Sequence, residues 1–242
     1  MSPDRPLIAH VIHRFAMGGM ENGLVNLING MDERFAHAIV CLSGYTSFRR
    51  RLTRPDVSVH DVAKKQGKDL PHYGRLWRTL RELRPAIVHT RNIGTIEAGV
   101  VARIGGVRAV LHGEHGFDVV DLHGSNRSYR RLRRMCSPFI NRFVCVSRQI
   151  AQWLRDGVGI AHEKLVQIYN GVDSDKFSHE HRDQGRRVLR EAGVDAEFVI
   201  GTVGRLEAVK NPRAAVRAFA VQSERSEVFR DTSALVLSLI HI

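Results

Sequence analysis

The chain has 242 residues, 43% of them hydrophobic and 26% charged, with a formal net charge of +12. That length buries a substantial core without disulfide or metal staples and fits one large domain or two small ones. The composition excludes collagen, coiled coil, disordered chain and small disulfide-rich scaffold.

No run of ~18 apolar residues is present to span a membrane. The opening MSPDRPLIAHVIH lacks the basic start and long apolar stretch of a secretory signal. Cys41, Cys136 and Cys145 are odd in number and lack paired spacing. Free thiols in a reducing, cytoplasmic setting are therefore expected.

Residues 7–13 read as a strand followed by a Gly-rich turn. Met20, Leu24, Leu27, Ile28 and Met31 then line one helical face. Residues 38–42 and 57–62 are the next strands. Tyr73, Leu76, Trp77, Leu80 and Leu83 form an apolar stripe with arginines opposite, and Pro85 ends that helix. Residues 86–90 read as a buried strand. Ile96, Val100, Val101 and Ile104 continue as a helix that Gly105-Gly106 stops. Residues 107–112 and 143–147 are further strands. Between them a helix places Tyr129, Leu132, Met135, Cys136 and Phe139 inside and its arginines outside. Strands alternating with helices predict an α/β fold, a doubly wound parallel sheet covered on both faces. Ligands in such sheets bind at the carboxyl ends of the strands.

The sequence divides into an N-terminal Rossmann-like domain over 1–173, a polar interdomain linker over 174–185, and the start of a second α/β unit from 186. That unit begins with a helix near 186–192 and a strand at 198–203. A helix then starts at Pro212 with Asn211 as N-cap, and a strand follows at 234–239. Residues 237–242, LSLIHI, match the translation of a transposase sequencing adaptor. The natural sequence is expected to end near Val236, leaving the second domain incomplete.

Residues 1–175 hold 26 basic and 16 acidic residues, so most of the positive excess lies there. Arg49, Arg50, Arg51 and Arg54 form one cluster, and Arg127, Arg130, Arg131, Arg133 and Arg134 another. Such clusters suit anionic lipid or a nucleotide-linked substrate, or are simply a solvated face. No aromatic-interleaved motif or zinc finger accompanies them, so nucleic acid is not expected as a partner.

Several strand-end loops carry candidate chemistry. Gly18, Gly19 and Glu21 open the first helix, where close backbone approach and free N–H groups suit an anion. The spacing is not that of a nicotinamide-dinucleotide loop. His89-Thr90-Arg91-Asn92 ends a buried strand. In 112–118, His112, Glu114, His115 and Asp118 crowd one strand exit between glycines. No third ligand is evident there for a metal ion. Asn170-Gly171-Val172-Asp173 precedes the linker. Gly204-Arg205, with Lys210 five residues on, places two cations where they can converge on a diphosphate.

In this order the motifs resemble those of the retaining, metal-independent glycosyltransferases of family four, which have the GT-B fold, and the resemblance runs from Leu7 to about Val236. Glu114-His115-Gly116-Phe117-Asp118, with Asp121-Leu122 and Asn126, is similar more narrowly to sugar transferases of PEP-CTERM-associated exopolysaccharide clusters. The resemblance implies no cofactor and no metal, a nucleotide-sugar donor, and a glycan or lipid-linked acceptor. A peripheral place at an anionic membrane face would suit such an acceptor. Gly18 and Gly19 would line the cleft and His115 would approach the donor sugar. Arg205 and Lys210 would hold the donor diphosphate and stabilise its departure. Glu21, His89, Asn92, Glu114, Asn170 and Asp173 are the further expected substrate-binding residues. The family's Glu-x7-Glu donor motif has no counterpart here, so this chain alone is expected to be inactive. A non-catalytic acceptor- or membrane-binding half, or another GT-B enzyme such as a nucleotide-sugar epimerase, is the competing reading.

Overall fold

The computed structural model describes residues 5–117, 121–175, 177–204 and 210–239. The chain divides into two compact units, Met1–Gly171 and Val172–Ile242.

The first unit is a parallel seven-stranded sheet in the order β3-β2-β1-β4-β5-β6-β7. Its elements are β1 (Leu7–Ile12), α1 (Gly19–Gly30), β2 (Ala36–Cys41), β3 (Ser58–Asp61), α2 (Pro71–Leu83) and β4 (Ile87–Arg91). They continue with α3 (Ile96–Ile104), β5 (Ala109–Glu114), α4 (Arg127–Cys136), β6 (Arg142–Cys145), α5 (Arg148–Trp153) and β7 (Leu165–Gln167). Every β1 residue is buried. A strand packed on both faces needs apolar residues at successive positions, which is why LIAHVI does not alternate with polar ones.

The two faces follow from strand parity. Ile12 of β1 and Ile39 and Cys41 of β2 pack with Leu24, Val25 and Ile28 of α1. Ala9, Val11, Val40, Val88 and Val110 point the other way, toward Leu76 and Leu80 of α2, Ile96 and Ala102 of α3 and Cys136 of α4. Local signals set the helix ends. Pro71 occupies the first turn of α2, and Arg84 closes that helix with φ 50° just before Pro85. Asn126 caps α4 by accepting from the N–H groups of Ser128 and Tyr129.

The apolar stripes are narrower than the sequence suggests. Leu27, Trp77, Ile104 and Met135 are exposed. Trp77 lies beneath the Arg81 guanidinium, 5.7 Å from ring centroid to Cζ. α1 thus presents its Leu24/Val25/Ile28 edge to the sheet rather than the Leu27 side.

The second unit holds α6 (Arg182–Glu191), β8 (Phe198–Gly204), α7 (Pro212–Arg225), α8 (Glu227–Thr232) and β9 (Ser233–Leu239). β8 and β9 pair in parallel from Phe198↔Ser233 to Gly204↔Leu239. Phe219 of α7 packs on Phe229 of α8 at 5.3 Å. α6 starts at Arg182, inside the segment expected to be linker. Asn211 occupies the N-cap position of α7 as expected, with φ 44°, but makes no side-chain capping bond. No helix among the described residues is long and apolar enough to cross a membrane.

Candidate functional site

The strand order reverses between β1 and β4, which opens a crevice at their carboxyl ends. Three loops meet there. The first leads from β1 into α1. Gly18 is extended, with φ −167°. Its lack of a side chain matters for space: a Cβ would collide with the Glu21 carboxylate, which folds back over it. Gly19 faces open space. Glu21 lies in the first turn of α1, where a negative charge suits the helix dipole.

Asn92, the residue after β4, joins the other two loops. Its φ is 55° with ψ 172°, a positive-φ extended conformation outside the left-handed helical basin that side chains rarely adopt, so the backbone is strained here. The backbone N–H donates to Gly113 O at 2.8 Å. The side-chain Oδ1 accepts the His115 backbone N–H at 2.8 Å, and Nδ2 contacts Met20 Sδ of α1 at 3.8 Å. One amide side chain therefore touches α1 and the loop after β5.

Beneath the crevice, on the α1 side of the sheet, lies a buried polar row. His10 Nε2 is 3.1 Å from His37 Nδ1, and the two rings stack at 5.4 Å. The Arg91 guanidinium donates to His10 Nδ1 at 3.3 Å and to His89 Nδ1 at 3.4 Å. Burial, then the Arg91 charge, pushes His10 and His89 well below the usual 6.5. The same two causes bring His115 down to about 4. Arg91 is itself pulled down to about 10 by burial, with the nearby Glu21 carboxylate opposing. These histidines are therefore neutral at neutral pH and Arg91 is charged.

Glu114 has a different position from the one expected of it. It points to the opposite face of the sheet and is buried. Arg133 Nε donates to its Oε1 at 2.6 Å and Nη2 to its Oε2 at 3.2 Å, and His112 Nε2 lies 3.2 Å from Oε1. Burial alone raises this carboxyl, but His112 and Arg133 outweigh it and hold it down at about 2. The Glu114 side chain is thus a buried ion-pair partner of Arg133. Arg133, expected on the solvent side of α4, is turned inward for the same reason, with its guanidinium over the Trp153 ring at 4.9 Å.

This cluster holds the loop that follows His115. Trp153 Nε1 donates to Gly124 O at 3.1 Å, and Phe117 meets Trp153 edge-on at 5.2 Å. Asp121 accepts from the Ser125 and Asn126 N–H groups. Asp118 lies outside the described residues. Arg130 also binds Gly124 O, and Arg134 binds Val158 O. In the first arginine cluster, Arg54 ties Met31, Asp32 and Phe35 carbonyls to Asp56. Much of the arginine excess thus fastens loops.

The remaining expected residues are Asn170 in the first unit and Asp173, Arg205 and Lys210 in the second. Asn170 is exposed after β7 in the first unit, and Asp173 is exposed in the second unit. Lys210 is exposed at the start of α7 in the second unit. Arg205 lies outside the described residues. Gly18, Gly19, Glu21, Asn92 and His115 do gather at the crevice, with His89 beneath it. His10 and His37 are not among the sequence candidates, and Arg91 and Arg133 enter that reading only within the His89–Asn92 loop and the second arginine cluster, not as buried partners. Strand parity offered a signal for Arg91, two residues after His89 and hence on the same face. Helix spacing offered one for Arg133, four residues after Tyr129 and three before Cys136. Among the described residues no group of three or more His, Cys, Asp or Glu side chains is arranged to hold a metal ion.

Comparison with known proteins agrees with this architecture. Residues 17–176 match the model of glycosyltransferase family 4. Over 151 residues the chain is 28% identical to the Escherichia coli UDP-Gal:alpha-D-GlcNAc-diphosphoundecaprenol alpha-1,3-galactosyltransferase, covering 60% of this chain and 38% of that enzyme. The chain thus spans well under half the length of that relative. Anabaena HepE, solved with UDP and glucose, superposes with a TM-score of 0.74 at 16% identity, over 95% of this chain and 60% of its own. A glycosyltransferase from Rickettsia africae gives 0.70 at 14% identity, over 97% and 69%. A UDP-N-acetylglucosamine 2-epimerase from Rickettsia bellii gives 0.56 at 12% identity, over 98% and 62%. The parallel seven-stranded sheet found here matches that of a GT-B N-terminal domain. The family match covers most of the chain, and the protein belongs to glycosyltransferase family 4.

Proposed function

We propose that the whole protein transfers a sugar, with retention, from a nucleoside-diphosphate donor to a glycan or lipid-linked acceptor in exopolysaccharide or cell-surface glycan synthesis. The observation that carries this reading is the convergence of Gly18, Glu21, Asn92 and His115 at the strand-order reversal of a family 4 chain. The E. coli relative is named for a UDP-galactose donor and a diphosphoundecaprenol-linked acceptor, and HepE holds UDP and glucose. A UDP-sugar and a diphospholipid-linked sugar are therefore the substrates to try first.

In this reaction the acceptor hydroxyl attacks the anomeric carbon on the face the diphosphate leaves. The bond to the donor phosphate oxygen breaks, and that oxygen takes the hydroxyl proton. His115, neutral and held by Asn92, lies beside the donor sugar. Arg205 and Lys210 neutralise the departing diphosphate without a metal ion or cofactor. The exposed Arg127 and Arg131 of α4 face the anionic membrane surface that presents the acceptor, at the cytoplasmic side.

The test supplies the whole protein with radiolabelled UDP-sugars and an undecaprenyl-diphosphate-linked acceptor. Label should reach the lipid only with both substrates present, with the anomeric configuration of the donor. Conversion of the UDP-sugar without acceptor would favour an epimerase instead. Arg205→Ala and Lys210→Ala should each lower kcat by about 10²–10³-fold. Wild-type rates in both variants would refute the donor-diphosphate assignment.

A further inference from the structure

The buried histidines on the α1 side of the sheet constrain one another's protons. A guanidinium only donates. Arg91 lies within hydrogen-bond reach of His10 Nδ1 and His89 Nδ1, so both nitrogens accept. Both rings are neutral, as burial and the Arg91 charge dictate. Each therefore carries its proton on Nε2. His10 Nε2–H then donates to His37 Nδ1 at 3.1 Å, so His37 also carries its proton on Nε2.

On the other side of Arg91 the row continues toward the crevice. His89 Nε2 and His115 Nε2 are both buried and have no hydrogen-bond partner among the described residues. They converge on the α-carbon of Gly113. A Cβ there would stand 2.8 Å from His115 Nε2 and 3.1 Å from His89 Nε2. The two nitrogens thus crowd the one small space beside Gly113 that a side chain would otherwise occupy. His89 fills its side of that space with an N–H. A second N–H from His115 would oppose it, whereas a lone pair on His115 Nε2 complements it.

We propose that Arg91 is a positioning residue that, through His89, holds His115 in the tautomer with its proton on Nδ1 and its lone pair on Nε2. His115 then differs at its two ring nitrogens, a donor at Nδ1 and an acceptor at Nε2, and which of them a substrate hydroxyl meets follows from that placement. That consequence for substrate depends on the glycosyl-transfer reading; the proton placement does not.

The experiment uses the whole protein labelled with ¹⁵N-histidine. Long-range ¹H–¹⁵N correlation spectra distinguish protonated from bare ring nitrogens, with signals assigned by single substitution of His10, His37, His89 and His115. The expected spectrum at pH 7.5 has Nε2 protonated in His10, His37 and His89, and Nδ1 protonated in His115. Arg91→Met should release this pattern in His89 and His115. His89→Phe, which keeps a ring in place, should move the His115 proton to Nε2 while His10 and His37 keep theirs, which also reports an intact fold. Nε2 protonation of His115 in the wild type would overturn the proposal without any variant. An unchanged His115 in folded His89→Phe would overturn the role of His89. The expected tautomers in a protein that transfers no sugar would support the proton placement and refute the transferase reading.

Discussion

The Glu114–Arg133 pair offers a prediction whose size follows from the geometry. Glu114 is held at about 2 rather than 4.5, which corresponds to about 3 kcal/mol favouring its charged form. Arg133→Met removes two charge-assisted hydrogen bonds, at 2.6 and 3.2 Å, and leaves His112 as partner. The buried carboxylate is then under-compensated, and the expected cost is about 3–5 kcal/mol. Replacing both partners, as Glu114→Met with Arg133→Met, removes the buried charge as well. The double variant should unfold within about 1 kcal/mol of the wild type, because apolar replacement of a whole buried pair is often neutral. Urea unfolding followed by tryptophan fluorescence suits the measurement, since Trp77 and Trp153 are the chain's two tryptophans and both lie in the first unit. The pH dependence gives a second arm. A carboxyl depressed by folding contributes stability above its unfolded pKa and loses it as pH falls from about 4.5 toward 2. The gap between wild type and Arg133→Met should therefore shrink below pH 4.5. A single-variant cost under about 1 kcal/mol, or a double variant costing the sum of the singles, would refute this account of the pair.

Other expectations follow from close approaches and buried imidazoles. Gly113→Ala places a methyl group 2.8 Å from His115 Nε2. Sugar transfer should fall roughly 10²-fold with the circular-dichroism spectrum retained, and undiminished kcat would argue against His115 in the site. Gly124→Ala combines φ 60° with contacts of 2.6 Å to Phe117 and 2.7 Å to Trp153. A loss of about 2–4 kcal/mol in chemical unfolding is expected, and a change under 1 would show that the loop relaxes easily. His10, His89 and His115 have pKa values depressed by folding, so the unfolded chain takes up their protons first. Stability should fall as pH drops below about 6.5, by up to ~1.4 kcal/mol per pH unit for each histidine. His89→Phe should flatten that slope between pH 6.5 and 4.5, and an unaltered slope would contradict a neutral His89.

The strands were the most legible part of the fold, because a sheet covered on both faces demands apolar runs such as LIAHVI. Turn residues marked the loops that reach the crevice: Gly18-Gly19 before α1 and the glycines around His115. Hydrophobicity misplaced residues where a polar group has a buried partner. Arg133 occupies the inner stripe of α4 only because Glu114 waits on β5, and that pairing spans 19 residues of sequence. Arg91 is buried because His10 and His89 accept from it, and the first of these lies 81 residues earlier. Neither the Glu114–Arg133 nor the His10–Arg91 contact has a local signature. Helix faces also drifted, as Leu27 and Met135 show, since a period of 3.6 tolerates two adjacent stripes until the sheet selects one.

Asn92 works as a hinge pin with two arms. One arm carries the His115 backbone and the other touches the first turn of α1. A ligand that shifts α1 at Met20 thereby drags on the loop bearing His115, so neither loop adjusts alone. Glycine at this position would accept the backbone twist but cut both arms. Aspartate would keep the arm to His115 and lose the donor to Met20. The position admits few residues for reasons of mechanical linkage, quite apart from any contact with a sugar.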